Sequence, residues 1–186
     1  MATVVSREAY FQTGLDVLAD QGYGGLKLAE VCGRLGVTTG SFYHYFASWS
    51  AFTTELVEHW QNDLTGQRIT TLQEEPDPRR RIDRVVAIGL ALPHSAEAAI
   101  RTWSAIDPKV RTLQEHVDRE RFEVIRQAAT EILGHPRQAE LFAKSMVYIL
   151  VGYEQSTLPP DTDGLAWISA QLLEALDDGR FSTLPD

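Results

Sequence analysis

The stretch LAEVCGRLGVTTGSFYHYF, Leu28 to Phe46, decides how this 186-residue chain is read. Leu28, Val31, Cys32 and Leu35 recur at i, i+3, i+4 and i+7, which is one apolar face of a helix. Gly36 follows, where a left-handed backbone can end a helix, and Val37 packs just behind it. Thr38 or Thr39 then caps a third short helix, expected to run to Phe46. Two short helices joined by a glycine-containing turn make a helix-turn-helix. In the second of them Phe42 and Phe46 lie four residues apart and share the inner face, against Leu28, Val31 and Leu35. That turns Ser41, Tyr43, His44 and Tyr45 outward, with Thr39 at the helix start. Exposed rings beside small hydroxyls make a poor solvent face and a good ligand face. Gly40 keeps this end slim, so that another backbone can approach.

Helical spacing continues in both directions. Upstream, Phe11, Leu15, Leu18 and Ala19 share a face, with Ser6 as N-cap and Gly22 as stop. Downstream, a longer fourth helix is expected from about Ser48 to the low 70s. Asp77-Pro78 and Asp107-Pro108 each pair a capping side chain with proline at the first helical position. Ser95 is a further cap, Gly134 a stop and Pro136 a start. LPPDTDG, Leu158 to Gly164, is a loop because a double proline cannot continue a helix. A last helix spans about Thr162 to Leu176. No β-alternation of useful length and no repeat interrupts this pattern. The fold expected is all-α, with roughly nine helices.

The bulk numbers narrow the function. The net charge of −9 argues against a protein coated in nucleic acid. The first 46 residues are close to neutral: Arg7, Lys27 and Arg34 face Glu8, Asp16, Asp20 and Glu30. No apolar run reaches the roughly 18 residues of a membrane span, and MATVVSREAYF does not resemble a secretory signal. The lone Cys32 excludes an internal disulfide and suits a reducing cytoplasm. It sits in an apolar stripe without a neighbouring His or Asp, which reads as a buried structural thiol rather than a nucleophile. His44, His59, His94, His116 and His135 are scattered, with no pair at i+3 or i+4, so no metal site is expected. Phosphate-loop, dinucleotide and Gly-x-Ser-x-Gly patterns do not occur. No catalytic residue and no cofactor are expected. The Arg79–Arg81 run reads as a solvated helix face.

GVTTGSFYHYF followed by SWSAF resembles the TetR family of bacterial transcriptional regulators. The family pattern is Gly-Val, a small polar residue, any residue, Gly, a small residue, an apolar residue, Tyr, any residue, His or Tyr, and Phe. The motif covers about residues 6 to 56, and beyond it only the helical layout agrees. The resemblance implies a helix-turn-helix DNA-binding domain over residues 1–47 and a helical effector-binding and dimerisation domain over 48–186. It places Thr38 and Thr39 to Tyr45 at the major groove, with Thr39, Gly40, Ser41 and His44 near base edges. Tyr43 and Tyr45 would bind phosphate oxygens, to which hydroxyls donate without a charge. Family members usually carry a lysine where this chain has Trp49, and often a Thr or Ser where it has Lys27-Leu28. Lys27 then supplies a phosphate contact in their place.

The C-terminal half raises two further expectations. ELFAKSMVYILVGYE is apolar almost all round from Met146 to Tyr153, so that helix needs cover on every side. With the stripe Leu165, Ile168, Leu172 and Leu176 it suggests a helix pair, including Ile149, completed by a second copy of the chain. A central core helix in a monomer is the other reading. The resemblance also implies a small-molecule pocket in this half. Trp103, Phe122, Met146 and Tyr153 fit a pocket lining by type, with Arg101 or His116 as polar groups. Core filling accounts for the same aromatic residues. The resulting expectation is a homodimeric repressor on a palindromic double-stranded operator, released by an unidentified effector through the fourth helix. The alternative is a helical ligand-binding or protein-interaction module with a weakened DNA-binding head.

Overall fold

The computed structural model describes residues 5–62, 72 and 74–183. Nine α-helices and no strand occur among these residues. They are α1 (Arg7–Gln21), α2 (Leu28–Leu35), α3 (Thr39–Phe42), α4 (Trp49–Gln61), α5 (Pro78–Leu90), α6 (His94–Ser104), α7 (Pro108–Leu133), α8 (Pro136–Gln155) and α9 (Thr162–Asp177). Two compact units form, one within Met1–Leu64 and Pro93–Glu115, the other within Thr65–Leu92 and His116–Asp186.

Local chemistry sets most of the boundaries. Ser6 accepts from the Ala9 amide, Ser48 from Ala51, Asp77 from Arg80 and Asp161 from Gly164. Each satisfies an amide that has no partner inside its helix. The Arg80 amide also holds the Asp77 carboxyl below the ordinary carboxylate range. Gly36 takes φ 65° and ψ 30°, the left-handed turn that closes α2.

In the first unit α1 packs against α2, α4 and α6. The buried face of α1 is Tyr10, Phe11, Gly14, Val17 and Leu18. Leu15 and Ala19, expected in that stripe, are only half-buried. Gly14 permits the close packing of α1 on α4, since a Cβ there would lie 2.9 Å from Leu56 Cδ2 and 3.1 Å from Phe52 Cζ. Phe11, Phe42, Phe46 and Phe52 form a continuous ring cluster. Trp60 Nε1 donates to the buried Glu97 Oε1 at 2.7 Å, tying α4 to α6.

The second unit is centred on Ile82, Ile125, Ala128, Ala129, Ala139, Phe142, Ala143 and Leu176. Ala128 and Ala129 of α7 and Ala139, Phe142 and Ala143 of α8 share this core. Arg79 is fixed on Asp177 by two bonds of 2.7 and 2.9 Å, and Arg81 pairs with Glu131 at 2.8 Å. Arg79 and Arg81 are therefore ties between helices rather than parts of a solvated face, while Arg80 is exposed. Ser95 does not open its helix: α6 begins one residue earlier, with Pro93 in the cap position and no side-chain cap. The expected extension of α4 into the low 70s falls largely outside the described residues.

Candidate nucleic-acid interface

Local bonding builds the candidate face. Thr38 Oγ1 accepts from the Ser41 amide at 3.2 Å and lies 3.2 Å from Ser41 Oγ, so one hydroxyl pair closes the start of α3. The helix ends at Phe42, not at Phe46 as the spacing suggested. Beyond it the backbone tightens, with His44 N donating to Ser41 O and Tyr45 N to Phe42 O, both three residues back. Phe46 N still donates to Phe42 O four residues back, and Phe42 and Phe46 both enter the core, where they are 0% and 2% exposed.

Thr38, Thr39, Gly40, Tyr43 and His44 are exposed, and Ser41 and Tyr45 half-buried. Tyr43 stands 53% exposed while its ring edge meets Phe42 at 5.3 Å. Tyr45 rests on Tyr10 at 5.4 Å. Tyr10 is fully buried, and its hydroxyl has no hydrogen-bond partner. Burial raises its pKa above the ordinary tyrosine range. Hydroxyls and rings are thus presented together on a braced surface.

Charge is sparse on this surface. Arg34 bonds Glu30 at 2.9 Å and Asp20 at 2.7 Å. Its guanidinium holds the Glu30 carboxyl below the ordinary carboxylate range. Arg7 pairs with Glu55. Among the described residues up to Asn62, Lys27 is the one lysine or arginine with no acidic partner. It is exposed at the N-cap position of α2 and makes no capping bond. Trp49 packs its ring on Phe52 at 5.0 Å and on Phe42 at 5.9 Å. The side chain at the start of α4 is therefore partly committed to the ring cluster. Cys32 is buried, which pushes its thiol pKa up and leaves it inert.

The residues expected around an effector divide between the units. Arg101 and the buried Trp103 lie in the first, where Trp103 stacks on Tyr23 at 4.6 Å. The Trp103 indole N–H is buried with no hydrogen-bond partner. In the second unit Phe122 and Met146 pack against the Phe142 cluster. Tyr153 Oη lies 3.4 Å from Thr162 Oγ1, and His116 pairs with Glu120 at 3.2 Å on an exposed face.

Of the residues expected at a dimer face, Leu165 and Leu176 are buried within the chain's own unit, at 5% and 2% exposure. Leu172 packs beside Leu176, Ile149 is half-buried and Ile168 is exposed. Tyr148 and Trp167, 66% and 65% exposed, are the large uncovered apolar side chains of α8 and α9 beside Ile168. The repeat of leucines marked the inner stripe and missed these two rings. No described helix is long and apolar enough to cross a membrane.

Residues 11–53 match bacterial regulatory proteins of the tetR family. The HTH-type transcriptional repressor NemR of Escherichia coli is 35% identical over 83 residues, 44% of this chain and 40% of that protein. The chain thus spans well under half the length of that relative. The HTH-type transcriptional regulator BetI of Burkholderia cenocepacia is 26% identical over 95% of this chain and 87% of its own length. A transcriptional regulator from Saccharomonospora viridis, solved in complex with choline, superposes with a TM-score of 0.72 at 18% identity, covering 90% of this chain and 95% of that one.

Proposed function

Because this chain belongs to the TetR family of bacterial regulatory proteins, we propose that it is a ligand-responsive transcriptional regulator. It binds a palindromic operator as a homodimer and acts as a repressor that a small-molecule effector releases. The observation that carries this reading is the outward face of the exposed Thr39, Gly40, Tyr43 and His44 with the half-buried Ser41. It stands behind a left-handed Gly36 turn and over the Phe42–Phe46 core. Thr39, Gly40, Ser41 and His44 read base edges; Tyr43, Tyr45 and Lys27 hold phosphates. Residues 1–47 form the reading head and 48–186 the regulatory body.

Tyr148, Trp167 and Ile168 support dimerisation, because large exposed apolar side chains on neighbouring helices mark an interaction face. The name of the NemR relative supports repression, and the choline complex of the structural neighbour supports a small-molecule effector. An effector releases the operator by binding better to the state in which the two heads are splayed. The scarcity of unpaired cations and the packed Trp49 favour one second reading: a helical ligand-binding or protein-interaction module whose head has lost DNA affinity. Selecting random duplexes on the purified chain separates the two. Enrichment of a palindrome supports the regulator, whereas a selection that enriches nothing supports the module.

A further inference from the structure

One guanidinium reaches three parts of the first unit. Arg7, the first residue of α1, donates through Nη1 to the Tyr45 carbonyl oxygen and through Nη2 to Glu55 Oε2 of α4. Its Cζ lies 4.5 Å from the centroid of the Phe46 ring. What it grips is the turn that follows a four-residue helix. A helix that short has almost no cohesion of its own, so neighbours must fix its position. Phe42 and Phe46 anchor it from inside the core. Arg7 anchors the backbone at Tyr45, and Tyr10 meets the Tyr45 ring.

We infer that Arg7 is a positioning residue for DNA binding. With Glu55 as its counter-charge it fixes the Tyr43–Phe46 turn, and through it the outward Tyr43, His44 and Tyr45, without touching phosphate itself. The inference rests on the DNA-binding reading above. Arg7 and Glu55 are 46% and 34% exposed, and ion pairs that exposed add little to folding stability. The effect therefore belongs to operator affinity and not to the melting temperature.

Arg7→Lys, Arg7→Met, Glu55→Gln and the Arg7→Met/Glu55→Gln double variant are measured on a duplex selected by the wild-type chain, across a salt series. Each single variant is expected to weaken binding about three- to tenfold, the size of one lost hydrogen bond. The double variant is expected to cost no more than the worse single one, because both changes release the same turn. The slope of log affinity against log salt stays unchanged. An Arg7 that contacts phosphate directly predicts the opposite pattern: Glu55→Gln tightens binding, Arg7→Lys is neutral, and Arg7→Met makes the slope shallower by about 1 per head. That pattern, or wild-type affinity in all four, overturns the inference. Hydrogen exchange at the Tyr45 and Phe46 amides gives a readout that needs no DNA, and Arg7→Met is expected to speed it about tenfold. If the wild-type chain retains no duplex, the DNA-binding reading fails, while unchanged exchange rejects the clamp on its own.

Discussion

Replacing Lys27 by Gln removes the one cation up to Asn62 that no carboxylate holds. Each phosphate neutralised on duplex DNA contributes about −0.9 to the slope of log affinity against log salt. With one free cation per head and two heads in a dimer, the wild-type slope is expected to be about −2, and the Lys27→Gln slope close to zero. Between 50 and 200 mM salt the wild-type chain then loses only about tenfold in affinity, where a protein with six to ten phosphate contacts loses about a thousandfold or more. Fluorescence anisotropy of a labelled operator at five salt concentrations measures both slopes. Trp49→Lys supplies the missing cation at the start of α4 and is expected to steepen the slope by about 2. A wild-type slope well beyond −5 would show Arg7 or Arg34 leaving its carboxylate for phosphate, against the expected single free cation per head.

Three other outcomes follow from the packing. Glu97→Ala leaves the buried Trp60 indole N–H without its 2.7 Å acceptor and should cost about 2 kcal/mol of stability, read from urea unfolding. Gly14→Val drives a branched side chain into Leu56 and Phe52 and should cost about 2 kcal/mol in the same assay; a neutral result would mean that α1 and α4 are not held this close. Trp167→Glu places a charge on the exposed apolar face of α9 and should convert a dimer to monomers by light scattering, with unchanged helical content by circular dichroism.

The head was legible because its signals are local. Gly36, Thr38 and Ser48 act within three or four residues of themselves, and the Phe42–Phe46 spacing states which face turns inward. Interactions between distant residues left no such trace. Arg7 and Glu55 are 48 residues apart, Trp60 and Glu97 37, and no periodicity links either pair. Nothing in the sequence around Gly14 marks the close approach of α4 that its missing side chain permits. α3 is shorter than its apolar spacing predicts, because that spacing does not distinguish a continued helix from a turn that keeps the same rings inward. A stripe shows which residues share a face but not what covers it. Leu165 and Leu176 therefore pointed to a second chain while facing their own core, and Trp167 stands exposed between them in sequence.

On the proposed function, an uncharged face of hydroxyls and rings reads DNA bases. The most direct measurement is parallel selection of random duplexes on the wild-type chain and on His44→Ala. The wild-type chain is expected to enrich a palindrome whose half-sites lie about one helical turn apart. The variant should retain that palindrome but lose base preference at one symmetric pair of positions. No enrichment by the wild-type chain, or an identical preference in both selections, contradicts the account.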